Sequence, residues 1–238
     1  MHHNLLFDLD QTLLDFPASE HFALKTVMEM NGQAFTEEHY AFFKRNNKSL
    51  WIEFEKGIIS KSQLFETRFR LLFEKCGCDT AGMDLLKVNS DFIDCMSHNG
   101  IVMDGALGFL ERITADVPDA RIYIITNGVE RNAMGRINST GIREYISKVF
   151  ISDTMGVSKP AREYFDIVKR TVGEPDESYM VIGDSLSSDM LGAKNAGLTS
   201  CWFMPDGDTD AAVMEYDINY TAASFDELYE VIRKWAGI

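Results

Sequence analysis

Five short apolar runs, at residues 5–8, 121–126, 148–151, 179–183 and 198–203, constrain this chain more than any other feature. Each is nearly continuous rather than alternating, so both faces of the strand it forms must be buried. Helical patterns separate the later runs, at about 128–140, 161–172 and 188–196, and a last helix to Trp235 opens on the capping pair Ser224 and Glu227. Strands that are apolar on both sides and alternate with helices build a parallel sheet covered on both faces. The expected fold class is therefore α/β, a doubly wound parallel sheet, in which ligands bind beyond the carboxyl ends of the strands.

One interval breaks the alternation. From residue 18 to 99 the pattern is helical throughout. A first helix stops at Asn31-Gly32, and a second begins near Thr36 and carries Tyr40, Phe43, Leu50, Trp51 and Phe54. A third opens on Ser60-Lys61-Ser62-Gln63, a capping box, and a fourth covers about 81–97 and ends at Asn99-Gly100. Four helices with short links and apolar stripes form a small bundle. It is inserted directly after the first strand, where it is placed to act as a cap. The expected division is a core of residues 1–17 and 100–238 and a helical cap of residues 18–99. Residues 9–18, without a clear period and containing Pro17, read as a loop or flap above the strand end.

The first strand ends in Asn4-Leu-Leu-Phe-Asp-Leu-Asp-Gln-Thr12. Two carboxylates two residues apart repel unless a cation lies between them. Mg²⁺ takes one or two carboxylates and leaves room for phosphate oxygens, so Asp8 and Asp10 suggest a Mg²⁺-assisted phosphoryl-transfer site. Alone, they are equally a strand end with solvated acids. The other strand ends decide between these readings. The second gives Thr126 and Asn127, the loop after the third gives Lys159 before Pro160, and the fourth gives Asp184, with Asp189 five residues on. A carboxylate can attack phosphorus, a second acid can protonate the leaving alkoxide, and a hydroxyl, an amide and an ammonium can hold the remaining oxygens. Four unrelated strand ends would rarely acquire such complementary groups by chance.

The set Asp8-x-Asp10-x-Thr12, Thr126-Asn127, Lys159-Pro160 and Gly183-Asp184-x₄-Asp189 resembles the four motifs of the haloacid-dehalogenase-like hydrolase superfamily. That resemblance implies a Rossmann-like core, with Asp8 as nucleophile and Asp10 as general acid and base. Thr126, Asn127 and Lys159 would bind phosphate. Mg²⁺ would rest on Asp8, the backbone carbonyl of Asp10, Asp184 and Asp189. Gln11 departs from the pattern, since many members carry glycine there. An acid at residue 10 argues for a phosphatase over a dehalogenase, because halide leaves without a proton. Leu9 after the nucleophile and the lack of membrane spans argue against a P-type ATPase.

The stretches Asn47-Lys-Ser-Leu-Trp51, Gly57-Ile-Ile59, Thr126-Asn-Gly128 and Gly156-Val-Ser-Lys-Pro160 resemble the YjjG-type pyrimidine nucleotidases. This implies a nucleoside 5′-monophosphate substrate. Phe16, Tyr40, Phe43, Trp51 and Phe54 are candidate base-stacking rings, and Arg45 and Lys48 candidate contacts to ribose or base. A phosphatase or mutase acting on sugar phosphates or phosphoglycolate stays open, as does a non-catalytic phospholigand-binding protein.

Composition narrows the partners. Lys and Arg number 23 against 37 Asp and Glu, a net charge of −14 in 238 residues, which repels nucleic acid and anionic membrane. No apolar run reaches membrane-spanning length, and Met1-His2-His3 has no hydrophobic signal core, with His2 and His3 given no role. Cys76, Cys78, Cys95 and Cys201 lack zinc-site spacing and read as reduced thiols of a cytoplasmic protein. The expected ligand is a small phosphomonoester, bound by a monomer or homodimer.

Overall fold

The computed structural model describes residues 2–117, 119–203 and 210–238, with the backbone alone for 210–212. In chain order the elements are β1 (His3–Phe7), then α1 (Phe16–Met30), α2 (Glu37–Glu55), α3 (Lys61–Lys75), α4 (Leu85–Ser97) and α5 (Ala106–Asp116). These are followed by β2 (Ala120–Thr126), α6 (Glu130–Asn138), β3 (Ile146–Ile151), α7 (Ser152–Met155), α8 (Arg162–Val172) and β4 (Tyr179–Gly183). The chain ends with α9 (Leu191–Ala196), β5 (Thr199–Phe203), α10 (Asp210–Tyr216), β6 (Tyr220–Ala222) and α11 (Phe225–Ala236). It separates into two compact units, 1–16 with 100–238, and 17–99.

The larger unit is the doubly wound α/β sheet. Its six strands run parallel in the order β3-β2-β1-β4-β5-β6. The chain leaves β1 toward β2 and β3 and then resumes at β4 on the other side, so the switch point lies between β1 and β4. Side chains alternate across the sheet. Leu5, Phe7, Ile122, Ile124, Met180 and Ile182 pack with α5, α6 and α11 on one face. Leu6, Tyr123, Ile125 and Val181 pack with α8 and α9 on the other. Burying both sides of each strand is what the continuous apolar runs require.

Three features depart from the expected element map. Residues 9–15 are a loop, as expected, but a buried one and not a flap: Leu9, Leu13 and Leu14 are fully buried in the core, and Leu14 bridges Val102. The three leucines outweigh the missing periodicity. Pro17 falls in the first turn of α1, where a backbone N–H has no helical partner, so it begins the helix instead of breaking it. Finally, α5, α10 and β6 lie outside the expected elements, and α4 begins at Leu85 behind an Asp84 cap.

The smaller unit, 17–99, holds nearly all of α1 and the whole of α2, α3 and α4. Thr36 caps α2, and the Ser60–Gln63 box closes the start of α3 from both sides. Phe43, Phe69, Phe73 and Phe92 are buried at its centre. Phe43, Phe69 and Phe92, with Phe65, surround a charge. Arg68 donates to Asn89 Oδ1 and Asn47 Oδ1, Asn47 donates to the buried Glu20, and the guanidinium lies 4.8 Å from the Phe92 ring centroid. Burial lowers the Arg68 pKa to about 10 despite Glu20.

Candidate active site

β1 delivers Asp8 to the switch point. Its N–H donates to Ile182 O at 2.8 Å, prolonging the β1–β4 pairing by one residue. Asp8 therefore stands at the carboxyl edge of the sheet, beside the end of β4 where Asp184 follows. Between β3 and β4, Lys159 arrives from the segment after α7. Its ammonium donates to Asp8 Oδ1 at 2.6 Å, Asp189 Oδ1 at 2.6 Å and Ile125 O at 2.9 Å. Three acceptors meet its three protons, which is what a lysine side chain 1% exposed requires.

Asp189 is fully buried in a π turn, Leu186–Met190, of the kind that often marks a functional site. Its Oδ2 accepts from Ser185 N at 3.2 Å and lies against Gly183, where a Cβ would stand 2.3 Å away. Only glycine fits there. Asp184 presents its carboxylate to Gln11 Nε2 at 3.5 Å, and its carbonyl accepts from Trp202 Nε1 at 2.9 Å. Gln11 adopts a left-handed backbone, φ 61°, at the residue where the family pattern has glycine.

Asp8, Asp184 and Asp189 each offer an oxygen within 4.8 Å of the others. Burial raises the Asp8 carboxyl well above its ordinary value, and the neighbouring acids add to this while Lys159 opposes it. Asp184 is pushed up to about 7, by burial first and then by Asp189. Burial lowers the Lys159 ammonium, but Asp189 and Asp8 outweigh it and raise its pKa. Three ionised carboxylates against one ammonium leave a formal charge of −2. A divalent cation cancels that charge, and an all-oxygen donor set suits a hard ion such as Mg²⁺. The residues fit a metal.

Asn127 and Thr126 lie close to this cluster. Asn127 Oδ1 accepts from Lys159 N and its Nδ2 donates to Lys159 O, both at 2.9 Å, so its amide grips the lysine backbone. Thr126 is buried, and its hydroxyl accepts from Gly128 N at 3.0 Å. Thr12 is fully buried, and its hydroxyl has no hydrogen-bond partner. The Asp10 side chain is outside the three-carboxylate group. It pairs instead with Arg136 Nη1 at 2.5 Å. The Arg136 guanidinium lies 5.3 Å from the Phe16 ring centroid, so Phe16 is already stacked on a cation. Lys48 is exposed and Trp51 half-buried on α2, Trp51 edge-on to Phe54. Phe43 is 1% exposed against Phe69 and Phe92 and has no face to offer a base. Sequence reasoning passed over Arg136 and Trp202. A lone arginine on an amphipathic helix carries no signal that it faces inward.

A model of the haloacid dehalogenase-like hydrolases matches residues 3–197. The chain belongs to the haloacid dehalogenase-like hydrolase family. This hydrolase is 32% identical over 229 residues to the HAD-hydrolase YfnB of Bacillus subtilis, covering 96% of this chain and 94% of YfnB. A crystal structure of YfnB bound to magnesium superposes with a TM-score of 0.87 at 29% identity, covering 98% and 99% of the two chains. The pyrimidine 5′-nucleotidase PynA of Streptococcus pneumoniae is 34% identical over 202 residues, covering 84% of this chain and 83% of PynA. The pyrimidine 5′-nucleotidase YjjG of Escherichia coli is 33% identical over 199 residues, covering 83% and 84%.

Proposed function

We propose that this hydrolase is a Mg²⁺-dependent phosphatase acting through an aspartyl-phosphate, with pyrimidine nucleoside 5′-monophosphates as substrates. The observation that carries the reaction is Asp8. It is a strand-end carboxylate among two further acids, held by a lysine that fills all three of its hydrogen bonds. The substrate class rests on the likeness to PynA and YjjG.

Asp8 attacks phosphorus, forming a new P–O bond while the ester P–O bond breaks. Asp10 gives its proton to the departing 5′-alkoxide. Water then attacks the phosphorus of the aspartyl-phosphate and gives a proton to the Asp10 carboxylate, and the bond from Asp8 to phosphorus breaks, so phosphate leaves and the Asp8 carboxylate is restored. Lys159 holds Asp8 and, with Thr126, holds the non-bridging oxygens. Asn127 keeps Lys159 in register. Asp8, Asp184, Asp189 and the Asp10 carbonyl would hold Mg²⁺, which when bound neutralises charge developing on the phosphoryl oxygens. The inserted unit 17–99 acts as the cap that controls water entry, and Trp51 and Lys48 are its candidate substrate contacts.

The test is phosphate release with Mg²⁺ from uridine, thymidine and purine 5′-monophosphates, phosphoglycolate and several sugar phosphates. Preference for the pyrimidine nucleotides supports the reading in full. Release from sugar phosphates alone keeps the chemistry and rejects the nucleotide class. No release from any of them rejects a phosphatase.

A further inference from the structure

Arg136 belongs to none of the motifs, yet its side chain is as deeply buried as that of Lys159. Its side chain is 1% exposed, and its charged partner is Asp10, whose side chain is 27% exposed. One turn earlier on α6, Asn132 Oδ1 accepts from Arg136 Nε at 3.1 Å, which fixes the plane of the guanidinium. The Phe16 ring covers it at 5.3 Å. Its Nη2 is buried with no hydrogen-bond partner. A buried guanidinium with an unmet donor is costly, and an apolar side chain of similar volume would tie α6 to the β1 loop at less cost.

We propose that Arg136 is a positioning residue that aims Asp10 at the leaving-group oxygen. This rests on the reading of Asp10 as the proton donor of a phosphatase. Asp10 lies in the loop between Leu9 and Gln11 with its side chain 27% exposed, and among the described residues Arg136 is the hydrogen-bonding partner that can select the rotamer of its carboxylate. One ion pair from a cation locked by Asn132 and Phe16 supplies that selection. A proton donor works only within hydrogen-bond reach of the atom it protonates, so a wandering Asp10 forfeits its contribution. Because a single bond holds Asp10, the carboxylate can still turn about it during the two proton transfers.

The role makes a demand on the leaving group that a purely structural role does not. An alkoxide needs a proton to depart; 2,4-dinitrophenolate does not. The measurement is kcat/KM, which reports the step up to ester cleavage, for a nucleoside 5′-monophosphate and for 2,4-dinitrophenyl phosphate. Arg136→Met is expected to lose about 10²-fold on the nucleotide and less than about threefold on the aryl ester, with KM little changed. Arg136→Lys recovers part of the loss. Asn132→Ala, which loosens the guanidinium without removing it, shows a smaller loss with the same selectivity and serves if Arg136→Met does not fold. Equal losses on both esters, or no loss on either, would overturn the proposal while leaving the phosphatase standing. No release from either ester by the unaltered protein would overturn the phosphatase reading and this proposal with it.

Discussion

Asn127 holds Lys159 by its backbone, through one bond to the N–H and one from the side-chain amide to the carbonyl, each 2.9 Å long. The lysine Nζ is thus fixed from both ends, by Asn127 at the main chain and by Asp8, Asp189 and Ile125 at the ammonium. Asn127→Ala removes the first anchor and leaves the second. The expected result is a loss of kcat of about 10- to 100-fold from misplacement of the phosphate-binding ammonium. Thermal unfolding should move by only a few degrees, since Lys159 keeps its buried partners. An unchanged kcat would assign Asn127 to the turn alone.

Asp8→Asn should separate stability from activity. The amide keeps an acceptor for Lys159 and the shape of the carboxylate, so the fold persists. Turnover should fall by at least about 10⁴-fold, because an amide is no nucleophile. Burial and the adjoining acids make the ionised form of Asp8 unfavourable in the folded chain. Removing its charge should therefore raise the melting temperature of the metal-free protein. Calorimetry in chelator, run beside a phosphate-release assay, reads both. Undiminished turnover in the purified variant would remove Asp8 from its assigned role.

The sheet was legible in the sequence because strands buried on both faces leave no alternative to apolar runs, and 179–183 coincides with β4 to the residue. Shorter or less regular signals failed. β6 is only Tyr220–Ala222, too brief to stand out, whereas α5 carries Ala106, Phe109, Leu110 and Ile113 at helical spacing, a readable pattern absent from the expected elements. At the site, strand-end position pointed to Asp8, Lys159, Asp184 and Asp189, which the structure brings within hydrogen-bonding or ligand distance of one another. Partner choice was not legible. Nothing in one sequence says that Asp10 faces Arg136, that Asn127 faces the Lys159 backbone, or that Phe43 is enclosed by Phe69 and Phe92.

Gly183→Ala tests how tightly the acidic cluster is packed. A Cβ there would lie 2.3 Å from Asp189 Oδ2 and 2.5 Å from its Cγ. Asp189 cannot give way, being fully buried and tied to Lys159 and Ser185. Either the turn after β4 shifts or the carboxylate does. A destabilisation of about 1–3 kcal/mol is expected, with weaker metal binding by isothermal titration. Gly108, where a Cβ meets nothing within 4 Å, provides the control: Gly108→Ala should not destabilise, because Gly108 lies within α5, where alanine is the better helix former.

The stability of the metal-free protein should fall as pH rises from about 5 to 8. The sign follows from Asp184, whose carboxyl is pushed up to about 7 in the folded chain, while in an unfolded chain it titrates near the ordinary value of about 4. Between those values the folded state binds the extra proton, so raising the pH favours unfolding, and the contribution is gone above the folded value. Asp8, raised mainly by the same burial, acts in the same direction. Mg²⁺ bound to the ionised carboxylates should reverse this, stabilising more at pH 8 than at pH 5. Other groups titrate in this range too, so the difference between the unaltered protein and Asp184→Asn isolates the effect. Melting curves at pH 5, 6, 7 and 8, with chelator and with Mg²⁺, should show the variant with a shallower slope and a smaller response to the ion. Parallel slopes in the two proteins would mean that the Asp184 carboxyl is already ionised at pH 5 and contributes nothing to the pH dependence.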